Sequence, residues 1–191
     1  DESESRGLGD VYKRQGELKV VDENGVEVAK NGETLGEIAV RGNVVMKGYY
    51  NDPISTDAAI RDGWFYTGDA AVVHDDGYLE IRDRFKDVII SGGENISSVE
   101  VEGCLLHHPA ILEVAVVGMP HEKWGEAPHA FVVLQSGQSC TKDQLRRHVR
   151  ENLAHFKTPQ WFSFVEDLPK TATGKVQKFV LRDGKAGISA Q

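Results

Sequence analysis

The sequence changes texture once, around Asp83, Arg84, Phe85, Lys86 and Asp87, and this break limits the fold more than any motif does. Ahead of it, apolar residues recur at period two between tight turns; after it, short apolar strands alternate with capped helical stretches. Such a chain is α+β, with a β-rich first part over residues 16–83 and a smaller α+β part over residues 84–191. Residues 1–15 (DESESRGLGDVYKRQ) follow neither period and read as a non-native or disordered lead.

Within the first part, residues 17–22 alternate, Glu23, Asn24 and Gly25 turn the chain, and residues 26–28 return, which predicts a hairpin. Residues 36–41 predict a further strand with Ile38 and Val40 on one face. A second hairpin is expected from residues 71–74 and 78–81, joined by Asp75, Asp76 and Gly77. Beyond Arg84, strands are expected at 88–90, 112–117 and 130–134, and Ser97 or Ser98 caps a helix over 99–107 that Pro109 closes. Thr141 and Gln144 have the spacing of a capping box, opening a second helix expected to run to Phe156 ahead of Pro159.

A formal net charge of −8 gives no general attraction to nucleic acid or anionic lipid, so any phosphate must be met by a few placed Lys and Arg residues. Cys104 and Cys140 lack CxxC or metal-ligand spacing, which predicts reduced thiols and a cytoplasmic setting. No apolar run reaches the roughly 18 to 20 residues of a membrane-spanning helix. The acidic start differs from a secretory signal, and the final Ser189, Ala190 and Gln191 are not a peroxisomal tripeptide. The neighbours His107 and His108 do not share a helical face, so no metal site is expected.

Five stretches could carry chemistry. Asp69 follows Thr67 and Gly68 directly, where a carboxylate can face a vicinal diol or simply cap a turn. Arg84 and Lys86 fall on one side of an extended segment, as a ligand contact or a solvated charge run. Gly92 and Gly93 interrupt an apolar strand, which suits a close backbone approach to a ligand or a tight turn. Trp124 sits in a polar loop, able to stack on a base or to anchor the loop. Lys175 ends a polar loop after Gly174, where an ammonium can neutralise charge developing on a phosphate or acyl oxygen. That loop lacks the GxxxxGK[ST] spacing of the P-loop.

Together, YTGD at 66–69, DRFKDVIISGGENISSVEVE at 83–102, HEKWGE at 121–126 and PKTATGK at 169–175 resemble the adenylate-forming family of acyl-CoA synthetases, luciferases and peptide-synthetase adenylation domains. The resemblance covers about residues 16–184. It implies that the β-rich part is the end of a large AMP-binding N-terminal domain and that the second part is the small, mobile C-terminal domain. It further implies that Asp69 hydrogen-bonds the ribose hydroxyls of ATP and acyl-AMP, that Arg84 supports the same ribose and that Ile81 packs beside it. Lys86 falls on the hinge, and Lys175 matches the lysine that approaches the carboxylate and α-phosphate. Gly92 and Gly93 border the pantetheine tunnel, and Trp124 reaches the CoA nucleotide.

The implied reaction joins a small carboxylic acid to ATP as acyl-AMP and then moves the acyl group to CoA. The wording is most similar to ligases for medium-chain, aromatic or other small acids, which sets the expectation of fatty acid metabolism. An adenylation domain serving a carrier protein is the nearest alternative, and a non-catalytic binding module the next. ATP, CoA and Mg2+ are the implied cofactors, the metal's ligands being expected upstream. The family's phosphate-binding loop, its aromatic-Gly-x-Thr-Glu motif and its acyl pocket are not in this sequence, so the chain by itself is expected to be inactive.

Overall fold

The computed structural model describes residues 16–184; the reading of residues 1–15 lies outside them. The chain forms two compact units that divide between Lys86 and Asp87, a few residues beyond the boundary read from the sequence, because the last strand of the first unit continues through Arg84.

The first unit is an antiparallel sheet of β1 (Gly16–Val21), β2 (Gly36–Gly42), β3 (Ile60–Arg61), β4 (Trp64–Val73) and β5 (Leu79–Arg84), with helix α1 (Pro53–Ala59) between β2 and β3. The path runs β1-β2-β4-β3, and β5 also pairs with β4. Val20, Ile38 and Ala71 are its buried cluster, with Val28, Val40, Val73 and Leu79 packed against them. The second expected hairpin forms, Val73 facing Leu79. The first is reduced: residues 26–28 make one isolated bridge, Val21 to Glu27, and the full ladder of β1 lies on β2. Three returning residues are too few for a ladder, whereas β2 offers seven.

The second unit is built on β6 (Ile89–Ser91), β7 (Glu94–Ile96), β8 (Ile111–His121), β9 (Gly125–Leu134) and β10 (Trp161–Phe164), with helices α2 (Ser98–Leu106), α3 (Lys142–Asn152) and α4 (Lys178–Arg182). β9 is central, pairing antiparallel with β8 and β6 and parallel with β10. Alternation along β8 and β9 sends Val114, Val116, Ala130 and Val132 to one face, where Leu105, Leu145, Val149 and Phe162 cover them. Ala115, Val117, Phe131 and Val133 go to the other, beneath Leu168 and Leu181.

Ser97 is the residue that caps α2, its hydroxyl accepting the Glu100 N–H. The capping box of Thr141 and Gln144 is present on α3. α3 stops at Asn152, short of the expected Phe156, because Leu153 turns extended and packs against the first core cluster; residues His155–Lys157 form a separate 3-10 turn. β8 and β9 are longer than expected. Pro120 hid the extension, yet β8 pairs only with β9 among the described strands, and an edge position tolerates a missing N–H.

Candidate functional site

In the first unit the site is made by two irregularities of the sheet. Ala39 pairs with Tyr66 and Glu37 with Ala70, so three residues of β4, Thr67, Gly68 and Asp69, bulge opposite a single residue of β2. Gly68 takes φ +74 there, which a glycine adopts without the strain a side chain would bring. What the sequence presents as a Thr-Gly turn is thus a bulge inside a ten-residue strand. The Gly68 N–H donates to Glu37 Oε1 at 3.0 Å and the Asp69 N–H to Thr67 Oγ1 at 3.1 Å. Glu37 is itself held by Arg61 at 3.6 Å, whose guanidinium lies over the Tyr66 ring.

The second irregularity lies on β5. Asp69 pairs with Arg84 and Ala71 with Ile81, so Arg82 is an extra residue on that strand. Without it, Ile81 and Arg84 would face opposite sides, three apart on a period of two. With it, Asp69, Arg84 and Ile81 share one face. Arg84 Nη1 donates to Asp69 Oδ1 at 2.5 Å and to the Thr67 carbonyl at 3.1 Å. The Arg84 and Asp69 side chains are 56% and 30% exposed, and an ion pair so exposed adds at most about 1 kcal/mol to stability. Its main effect is to orient the carboxylate. Ile81 is 61% exposed, an apolar surface beside that pair.

Lys86 does not align with Arg84 as an extended segment would have it. β5 ends at Arg84, and Phe85–Asp87 is a 3-10 turn, which rotates Lys86 off the strand's alternation. Lys86 is exposed there, while Asp87 is buried.

In the second unit Gly92 and Gly93 form the two-residue turn of the β6–β7 hairpin, Ser91 facing Glu94. Both have positive φ, as the tightest hairpin turns require. The two glycines differ in their surroundings. A Cβ on Gly92 would lie 2.8 Å from Trp124 Cε3, and the Gly92 N–H donates to the Trp124 carbonyl at 2.9 Å; nothing lies within 4 Å of a Cβ on Gly93. The tight turn is therefore also a close approach, with Trp124 as the group approached.

Trp124 ends the loop of the β8–β9 hairpin, in which His121 faces Gly125. His121 Nδ1 accepts the N–H groups of Lys123 and Trp124 at 3.1 and 3.2 Å. Trp124 remains 44% exposed, with Lys123 Nζ 4.3 Å from its ring centroid. His121 also neighbours Trp161 on β10, ring centroids 5.7 Å apart, and Trp161 neighbours His129 at 5.9 Å. This aromatic row was not readable beforehand, because it joins residues from three strands.

Lys175 is not on a loose loop. Lys170 and Val176 form an isolated bridge, the Thr171 N–H donates to the Lys175 carbonyl at 2.8 Å, and the Lys175 N–H donates to Thr171 Oγ1 at 3.1 Å. Lys170 Nζ holds one foot of this turn, 2.8 Å from Glu113 Oε1 on β8. That hydrogen bond raises the Lys170 pKa above its ordinary value. The Lys175 side chain is exposed and forms no ion pair among the described residues.

A family profile described as the AMP-binding enzyme C-terminal domain matches residues 100–175. Probable acyl-activating enzyme 5, peroxisomal, of Arabidopsis thaliana is 55% identical over 170 residues, 87% of this chain and 31% of that protein. The 2-methylpropanoate–CoA ligase CCL4 of Humulus lupulus is 52% identical over 189 residues, 97% of this chain and 34% of that protein. The chain belongs to the AMP-binding, adenylate-forming enzymes. The crystal structure of ATP-bound MatB from Rhodopseudomonas palustris superposes with a TM-score of 0.80 at 38% identity, over 91% of this chain and 35% of that one. The chain thus has the mixed, strand-rich α+β architecture of its relatives and spans about a third of the length of the curated relatives it matches. The supports that sequence reading missed in this family member are Glu37, Arg61 and Glu113, single carboxylates and an arginine whose partners lie far along the chain.

Proposed function

We propose that this chain supplies the ribose clamp, the pivot and the mobile lysine of an ATP-dependent acyl-CoA ligase. The observation that carries this reading is the convergence of Asp69, Arg84 and Ile81 on one face through the two bulges, taken with relatives that include a named CoA ligase. With Oδ1 taken by Arg84, Asp69 Oδ2 is the acceptor a ribose hydroxyl would reach, and Ile81 gives the sugar an apolar edge. Lys86 is the hinge about which the second unit would turn. In one pose the Lys175 ammonium meets the carboxylate and α-phosphate; in the other Gly92 and Gly93 border the pantetheine path and Trp124 takes the CoA nucleotide. Its functional domains are residues 16–83 and 84–191, the second being the one that moves, beyond Lys86.

ATP and CoA are the substrates this reading needs, with a small or fatty carboxylic acid. Among the described residues no group of three or more His, Cys, Asp or Glu is placed to hold a metal, and the ligands of the implied Mg2+ are expected upstream. No described helix is long and apolar enough to cross a membrane. Cys104 and Cys140 are free thiols, which supports a reducing compartment; we assign the cytoplasm, and the peroxisomal name of one relative is the rival that a fluorescent fusion of the full-length protein would decide.

The test is to supply the full-length protein containing this sequence with ATP, CoA and a panel of carboxylic acids. Pyrophosphate and acyl-CoA should both appear; no pyrophosphate with any acid would overturn the reading. The present chain alone should release none above blank. In the full-length protein, Lys175→Ala should lower acyl-AMP formation by about 100-fold and leave the conversion of supplied acyl-AMP nearly intact, and equal losses would remove Lys175 from the first step.

A further inference from the structure

Helix α4 follows Lys175 by two residues and is five residues long, too short to hold a helical shape in isolation. Its position is therefore set by what it touches. Leu181 is 1% exposed and packs with Ala115, Val117 and Phe131 under the second face of the sheet. Lys178 Nζ reaches two residues of α2, Glu102 at 2.7 Å and Ser98 Oγ at 2.6 Å. Arg182 Nη2 binds Asp87 Oδ1. Asp87 is 8% exposed and immediately follows Lys86, in the same 3-10 turn.

The last contact joins two regions that the chemistry uses separately. A buried carboxylate deprived of its cation is strongly disfavoured, so the place of Asp87 depends on α4 being docked. Conversely, α4 and the lysine turn before it are fastened to the residue next to the pivot. We propose, resting on the ligase reading above, that Arg182 is a positioning residue for Lys175. Through Asp87 it fastens the first residue beyond the pivot to the lysine turn, so that rotation at Lys86 delivers the Lys175 ammonium to a fixed point.

The decisive experiment compares half-reactions in the full-length protein carrying Arg182→Gln or Asp87→Asn. Acyl-AMP formation should fall about 10-fold or more in kcat with the KM for ATP within about 2-fold, while conversion of supplied acyl-AMP and CoA stays within about 2-fold. Arg182→Lys, which keeps the cation, should recover most of the loss. Equal losses in both half-reactions, or no recovery by lysine, would overturn the proposal. Because these variants could weaken the fold, amide hydrogen exchange on the present chain supplies a second reading. Arg182→Gln should speed exchange both at residues 85–87 and at residues 171–175, and faster exchange at only one of the two would also overturn the proposal. Lys175→Ala run in parallel separates the levels. If it splits the half-reactions and the Arg182 variants do not, only the coupling fails; if the unsubstituted protein makes no acyl-AMP, the ligase reading itself fails.

Discussion

In the unit beyond Lys86, β8 and β9 are buried on both faces, one under α2 and α3 and the other under Leu168 and α4. In the unit before it, the sheet closes over one small cluster and leaves a concavity of about 1100 Å³ lined by Leu18, Val28, Val40, Val44, Phe65 and Tyr78 among others. The difference teaches that neighbouring stretches of one chain can be built for different kinds of partner. The second unit carries its own core. The first presents apolar surface that its described residues do not cover, and its candidate site is made of partly and fully exposed side chains on one sheet face.

The largest test of that contrast is separation. Residues 87–184 alone should stay soluble and unfold in one cooperative step, whereas residues 16–86 alone should bind a hydrophobic dye or aggregate; a soluble, cooperative first unit would break the comparison. Within the intact chain, Leu145→Ala empties a fully buried position and should cost the second unit about 3 kcal/mol, against about 1 kcal/mol for Ile38→Val in the first. Denaturant titration reads them apart, since Trp64 reports on the first unit and Trp124 and Trp161 on the second. If all three report the same shift, the units unfold together.

Smaller effects sharpen the account of the second unit. Gly92→Ala places a side chain at φ +61 and a Cβ 2.8 Å from Trp124 Cε3; the backbone effect alone should cost about 1 to 2 kcal/mol, with a shift in Trp124 emission. Gly93→Ala, at φ +90 with open space around it, should cost stability without moving that emission. The smallest effect is titration of His129. Burial, and then the charge of Lys142, lower its pKa from 6.5 to about 4. The unfolded chain therefore binds more protons between about pH 4 and 6.5, so stability is complete above the unfolded value and declines as pH falls through that window. Allowing for solvent screening at this half-buried ring, roughly 1 kcal/mol should be lost. His129→Gln should flatten that slope in a urea series, and an unchanged slope would remove His129 as its source.

Much of this architecture is legible locally. The caps at Ser97 and Thr141, the turn glycines and the second hairpin each depend on residues within a few positions of one another. Element ends were less legible. α3 stops early because Leu153 gains more from the core than from one more turn, and β8 runs through Pro120 because an edge strand does not need that N–H. Both outcomes depend on neighbours distant in sequence.

The same division holds for the site. By itself the sequence determined the family, the α+β order of elements and which polar residues stand in its four blocks, since these are carried by residue type and spacing along one segment. Only the tertiary structure decided that an extra Arg82 puts Arg84 and Ile81 on the face of Asp69, that Glu37 holds Gly68, that Gly92 lies against Trp124, and that Arg182 is fastened to Asp87. Register, bulges, and hydrogen bonds and ion pairs across 31 to 95 residues are settled by which backbone groups and charges can be satisfied at once. That is a property of the packed chain rather than of any window within it.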